Sequence, residues 1–312
     1  MRYNPRARLD RSQVSNRRGG GGGLGGGGGR PSLGGTGVRV GGGLGGLLLL
    51  VLVVLVQSQL GGPDPGAGAG SGGGSGSGAG GTALTQCSSG AQANQDQDCA
   101  ILADVNSIQS YWEQALPTQA GVDYTPAQTD LFSGRVQTGC GVAASDVGPF
   151  YCPADRNVYL DTTFFTDMLQ GRLGARGGAF ARSYVLAHEY GHHVQDLLGT
   201  MDRVRSRQGS GSDAVRLELQ ADCLAGVWTR HATTATDADG LPLIVDLSQD
   251  DVDRALDAAA AVGDDRIQRR AGGQVSPETW THGSAEQRKR WFSTGRQRGT
   301  LAACDTFAVD RL

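Results

Sequence analysis

The sequence predicts an α+β domain, mostly helical with a small sheet, preceded by one transmembrane helix and by disordered Gly-rich segments. Three observations lead there. In the C-terminal part, apolar residues recur at helical spacing in several windows, each bounded by capping or breaking residues. A few short runs alternate apolar and polar residues instead, Asn157 to Asp161 most clearly. The chain's 52 glycines crowd towards the first 82 positions, on both sides of a single apolar run.

Residues 19 to 29 are almost pure glycine, and residues 61 to 82 are mostly Gly, Ser, Ala and Pro. Such stretches lack the apolar surface that offsets chain entropy and are expected to be flexible. About 230 residues, 83–312, remain for one folded domain, a normal size for a single core. Leu44 to Val56 consists of Leu, Val and Gly only, and no charge occurs from Val40 to Pro63. A membrane-spanning helix needs about 20 mostly apolar residues, so 40–60 is expected to be a signal anchor. The segment before it carries eight arginines against one acid, Asp10. By the positive-inside rule, residues 1–39 would form a disordered cytoplasmic tail, residues 61–82 a linker, and the domain would be extracytoplasmic. The competing reading is a cleaved signal peptide with Ala67-Gly68-Ala69 at the cleavage site. That site lies far past the apolar run, and the leading tail is long for a signal peptide.

After the tail, 20 basic residues face 30 acidic ones. A mildly acidic domain argues against nucleic-acid binding, which needs a basic face. All six cysteines follow the apolar run, which suits disulfides in an oxidising compartment. Six cysteines permit 15 pairings, and sequence cannot settle among them. Proximity favours Cys87–Cys99 and Cys140–Cys152, leaving Cys223–Cys304. No C-x-x-C suggests a metal role for them.

Along the domain, Ile101, Val105, Ile108 and Trp112 share one helical face of a helix over 98–115, closed by Pro117. Leu131 to Val136 is a short extended candidate. Asn157 to Asp161 reads as a strand; near a cleft such a strand could pair with an extended peptide, and an ordinary internal strand fits the sequence equally well. Asp161-Thr162-Thr163 can cap a short helix to about Gln170, followed by a Gly/Arg loop over 172–178. Helices are expected over 180–198, ending near Gly199, and from a cap at Asp213 to about Ala232. The polar, Ser/Gly-rich stretch 201–212 between them reads as a mobile loop. Ser248 to Asp251 resembles a capping box opening a helix to about Val262, and Ser284 opens a last one to about Arg298. No internal repeat is evident.

One motif carries chemistry. His188-Glu189-Tyr190-Gly191-His192 is an H-E-x-x-H signature. Residues four apart lie on one helix face, so both imidazoles can meet one zinc ion, with Glu189 close enough to reach a water there. A third ligand must come from elsewhere. Glu218 stands far enough beyond His192 for one helix to end and the next to return. Asp222, four positions on, would hold a ligand imidazole by its other ring N–H. The alternative third ligand of metzincins needs Gly and His three and six positions after the second His, where Gln195 and Leu198 stand. His193 points away from the pair, and His231 has no supporting pattern.

In combination these motifs resemble a known family. The matching stretches include Gly148-Pro149-Phe150-Tyr151-Cys152-Pro153, Val158-Tyr159-Leu160-Asp161 and His188-Glu189-Tyr190-Gly191-His192-His193-Val194-Gln195. They continue through Glu218-Leu219-Gln220-Ala221-Asp222-Cys223, His282-Gly283-Ser284, Arg290-Trp291-Phe292 and Cys304-Asp305-Thr306-Phe307. Over roughly residues 95–308 the chain is similar to the neutral zinc metallopeptidase family of bacterial single-pass membrane proteins. The resemblance implies a zincin-like fold, one zinc per chain and peptidase activity on extracytoplasmic proteins or peptides. His188, His192 and Glu218 would hold the zinc, and Glu189 would be the general base. The oxyanion needs a further donor. His282 is the candidate, with Tyr190 and Tyr159 behind it; the competing reading of His282 is a surface histidine at a helix entry. A function of another class also fits: a metal-stabilised binding or scaffold module with a degenerate site.

Overall fold

A computed structural model describes residues 1–18 and 84–312. The expectations for 19–39, for the anchor 40–60 and for the linker 61–82 lie outside the described residues.

The sheet has four short strands. β2 (Val14–Asn16), β3 (Gln128–Phe132) and β7 (Asn157–Asp161) run parallel, and β6 (Phe150–Cys152) closes the sheet antiparallel to β7. β7 stands where the alternation placed it. It is internal, however, so its backbone groups are taken by β3 and β6, and the edge towards the cleft is β6. The extended candidate 131–136 is split by a turn at 133–134, with its ends lying in two different strands. β3 ends at Phe132, Gly134 takes a left-handed φ of 75°, and β4 (Arg135–Thr138) returns to pair with β5 (Gly141–Ala144). A β-branched or bulky side chain at that φ would be strained.

Helices cover the rest. After α1 (Gly90–Ala93) comes α2 (Gln97–Ala120), whose Ile101, Ile108, Trp112 and Leu116 are fully buried. Pro117 does not close α2. It removes one hydrogen bond in the last turn, and the helix continues to a left-handed cap at Gly121. Phe164–Arg172 forms a π-helix rather than an ordinary short helix. α3 (Ala179–Leu197) and α4 (Asp213–His231) are the two helices expected to carry ligands. The cap of α4 is Ser212; Asp213 instead accepts the backbone N–H groups of Arg205 and Ser206. That bonding, and Gly209 N–H to the Trp280 carbonyl (2.9 Å), hold the loop expected to be mobile. α5 (Gln249–Ala261) opens on the Ser248–Asp251 capping box, and α7 (Ala285–Arg298) on Ser284. The short α6 (Asp264–Arg270) was not foreseen.

α7 lies unusually close to α4. A Cβ at Gly295 would collide with the Cys223 carbonyl, and one at Gly226 with the Phe292 carbonyl. The paired glycines let the two backbones touch, and this brings α7 side chains within reach of the ligand face of α4. The three disulfides are Cys87–Cys99, Cys140–Cys152 and Cys223–Cys304, as proximity favoured.

The N-terminal segment corrects the expectation of a disordered 1–39 tail. β1 (Arg2–Tyr3) pairs with β8 (Ile244–Asp246), and β2 adds to β3 in the register Val14↔Thr129, Ser15↔Asp130, Asn16↔Leu131. Tyr3, Ala7, Leu9 and Val14 are buried in the domain's core. The Tyr3 hydroxyl donates to Asp104 (2.7 Å), Arg17 pairs with Asp130 (2.9 Å), and Arg18 pairs with Asp98. Composition averages hid this: the segment is rich in arginine, but its few apolar residues each find a surface built by remote parts of the chain.

Candidate metal centre

α3 and α4 bring the predicted ligands together. His188, His192 and Glu218 are all buried, and their donor atoms lie within 4.8 Å of one another. His188 Nε2 is 3.2 Å from Glu218 Oε2, and His192 Nε2 is 3.4 Å from Glu218 Oε1.

The opposite ring nitrogens are committed elsewhere. His188 Nδ1 donates to Asp222 Oδ1 (2.9 Å), the role foreseen for Asp222. His192 Nδ1 meets Gln195 Oε1 (2.8 Å). Gln195 spends its amide N–H groups on the Leu217 carbonyl (2.7 Å) and Gln220 Oε1 (2.9 Å), so its oxygen must accept. Each imidazole therefore spends its Nδ1 on an outer partner and turns its Nε2 towards Glu218. Two Nε2 atoms and a carboxylate converging on one point form a donor set that fits zinc.

The electrostatics favour a cation. Burial opposes charging His188, but Asp222 and Glu218 outweigh it and push its pKa up to about 10. Burial would raise Glu218, yet His282, His192 and the His188 hydrogen bond hold it well below the carboxylate range. Burial raises Glu189, and the nearby His188 and His192 offset this only in part. A carboxyl raised in this way suits a group that must take up and release a proton.

His282 is not a surface histidine. It lines the same cavity as the three ligands and Glu189. Burial lowers its pKa, but the charges of Glu218 and Asp264 outweigh this and raise it. Asp264 Oδ2 accepts the backbone N–H groups of Thr281, His282 and Gly283 (2.7–3.0 Å), and its Oδ1 lies 3.6 Å from His282 Nδ1. The weaker oxyanion candidates drop out. The Tyr190 hydroxyl bonds Thr129 (2.8 Å) inside the core, and the Tyr159 hydroxyl donates to Asp155 (2.7 Å). His193 is a packing residue, bonded to the Tyr151 hydroxyl and the Thr125 carbonyl. His231 stacks on Tyr111, with ring centroids 5.1 Å apart.

Sequence reasoning missed Arg288, Tyr184, Asp264 and the role of Gln195. Arg288, from α7, clamps Asp222 through Nε–Oδ2 (2.8 Å) and Nη2–Oδ1 (3.0 Å), while Tyr184 donates to the same carboxylate (2.5 Å). Burial raises Asp222, but Arg288 and then His188 outweigh it and keep the carboxyl below its ordinary value. Tyr184 stands four positions before His188, on the same helix face, and could have been found by spacing. Arg288 could not, because only the glycine contact between α4 and α7 brings it in.

The family comparison agrees with this geometry. Residues 1–307 match the family model described as "Putative neutral zinc metallopeptidase". The chain belongs to that family. It is 51% identical over 231 residues to uncharacterized proteins of Mycobacterium tuberculosis and Mycobacterium bovis, covering 73% of this chain and 77% of theirs. It is 38% identical over 295 residues to the uncharacterized protein YpfJ of Escherichia coli K12, covering 89% of this chain and 91% of that one. No solved structure matches. The match from residue 1 agrees with the N-terminal segment being part of the domain.

Proposed function

We propose that the chain is a zinc-dependent endopeptidase of zincin-like fold, cutting extracytoplasmic proteins or peptides. The observation that carries this reading is the pair of Nε2 atoms turned towards Glu218, with the raised carboxyl of Glu189 in the same cavity. A site that only stabilised the fold would have no use for Glu189 there.

His188, His192 and Glu218 would hold the zinc, which when bound supplies Lewis acidity that polarises a carbonyl and makes water acidic near neutral pH. Glu189 takes the proton of the attacking water as its oxygen bonds to the scissile carbonyl carbon. It passes that proton to the amine as the C–N bond breaks. His282, whose pKa Glu218 and Asp264 raise against its burial, donates to the carbonyl oxygen as it becomes negative. Phe150 and Tyr151 of β6 line the cavity, and β6 pairs only with β7 among the described residues, so its free edge can align an extended substrate.

Membrane attachment through residues 40–60 is part of the proposal, but as contact with one face and not a single crossing, because one crossing would put residues 1–18 and the domain on opposite sides. Among the described residues no helix is long and apolar enough to cross a membrane. The pairing of β2 with β3 supports placing residues 1–18 on the same side as the domain, instead of in the cytoplasm. Three disulfides support an oxidising compartment for both.

The test of function is Glu189→Gln. It is expected to keep zinc and to lose about 100-fold or more of peptide hydrolysis. Hydrolysis at the wild-type rate would remove Glu189 as the base, and zinc without turnover in the wild type would favour a binding module.

A further inference from the structure

Behind the metal centre runs a row of buried carboxamides that leads away from the cleft. His192 Nδ1 meets Gln195 Oε1 (2.8 Å), Gln195 Nε2 donates to Gln220 Oε1 (2.9 Å), and Gln220 Nε2 donates to the Cys304 backbone carbonyl (3.0 Å). A peptide carbonyl can only accept. The Cys304 carbonyl therefore fixes which end of Gln220 faces Gln195. With the Leu217 carbonyl (2.7 Å), it also fixes which end of Gln195 faces His192. The row starts on a ligand and ends in the C-terminal turn Leu301–Cys304.

That turn is held by α4 itself. At about 100° per residue, Arg216, Gln220 and Cys223 share one side of the helix, and Glu218 and Asp222 lie on the other. The first three all hold the C-terminal segment. Cys223 is bridged to Cys304, Gln220 bonds the Cys304 carbonyl, and the Arg216 carbonyl accepts from the Thr306 hydroxyl (2.7 Å). Cys304 and Thr306 are fully buried. The segment is a clasp on the back of the ligand helix, and the disulfide fastens it covalently.

We propose that Gln220 is a positioning residue for His192, and that through Gln220 the Cys223–Cys304 bridge sets how tightly the site holds zinc. The inference rests on the zinc reading of the site and needs no peptide turnover. Closing the bridge joins the two sulfurs and releases two electrons and two protons from the thiols. A disulfide oxidant accepts them and leaves as a dithiol. An unbridged chain keeps its three ligands but holds His192 loosely, so zinc is bound tightly only after the chain has met an oxidising compartment.

The experiment measures the zinc affinity of the purified full chain by chelator competition, with no peptide present. Gln220→Leu, with the bridge intact, is expected to weaken binding about 10-fold. Cys223→Ala together with Cys304→Ala is expected to do the same. All three changes combined should add little to either, because both losses act through one route. Replacing Cys87 and Cys99 by alanine also lowers the melting temperature, yet is expected to leave the affinity unchanged, which separates positioning from stability. In the zinc-free chain, NMR is expected to show an exchange-protected His192 Nδ1–H proton that is lost in Gln220→Leu. Unchanged affinity in Gln220→Leu overturns the proposal. So does an equal loss on opening Cys87–Cys99, or a combined loss near the roughly 100-fold product of independent effects. If the unbridged chain does not fold, Gln220→Leu alone decides. The expected affinities without any peptide cleavage would overturn the peptidase reading and leave this proposal standing. Absence of zinc from the wild type overturns both.

Discussion

At the scale of single residues, the metal centre is a chain of commitments. Arg288 and Tyr184 hold Asp222, Asp222 holds His188, and Gln195 holds His192, which leaves the Nε2 of each imidazole for the ion. Removing a link should loosen the ion, and removing Asp222 also leaves the buried Arg288 charge unpaired, at a cost of about 3–5 kcal/mol in stability. Asp222→Ala is expected to weaken zinc binding about 10–100-fold in chelator competition. An unchanged affinity would mean that the His188 ring is positioned by packing alone. His282 acts on the substrate instead, so His282→Ala should leave zinc stoichiometry intact while lowering kcat about 100-fold, with a smaller effect on KM. Much of this scale was legible beforehand. H-E-x-x-H is local, and the four-residue spacing of Glu218 and Asp222 fixes a shared face. Arg288 and Asp264 were hidden because they reach their partners across 66 and 18 residues of chain, and no local period records that.

At the scale of elements, the site depends on how closely α4 meets α7. Gly295 sits where any side chain would strike the Cys223 carbonyl, so Gly295→Ala is expected to destabilise by about 1–3 kcal/mol in denaturant titrations. Because the same contact delivers Arg288, zinc affinity should fall with it. A variant of wild-type stability would show that the helices can part at no cost. The Cys223–Cys304 bridge ties the C-terminal segment to α4 across 81 residues, and replacing both cysteines by alanine should cost about 2–5 kcal/mol. Helix starts at Ser248 and Ser284 could be read directly from their capping residues. The π-helix could not, because its sequence shows the same apolar spacing as an ordinary short helix. The strand candidate 131–136 failed for a similar reason. Its residues suit a strand, and one glycine with a left-handed φ turns the chain in the middle.

At the scale of the whole molecule, residues 1–18 supply an edge strand and part of the core, although the intervening residues 19–83 separate them from the domain in sequence. Deleting residues 2–18 should therefore lower thermal stability and not merely remove a tail. The pairing of β2 with β3 also predicts where the N-terminus lies. In intact cells stripped of their outer layers, external protease should reach a tag placed before residue 1 as readily as the domain. A tag protected from the protease while the domain is cut would place them on opposite sides, and β2 could not then pair within its own chain. Arginine-rich composition suggested a cytoplasmic tail because charge counts do not show which residue meets which partner.

The central claim is that His188, His192 and Glu218 share one ion. Elemental analysis of the purified full chain beside its His188→Ala variant tests it most directly. The account predicts one zinc per wild-type chain and its loss from the variant under the same dialysis. A full equivalent of zinc retained by His188→Ala would contradict it.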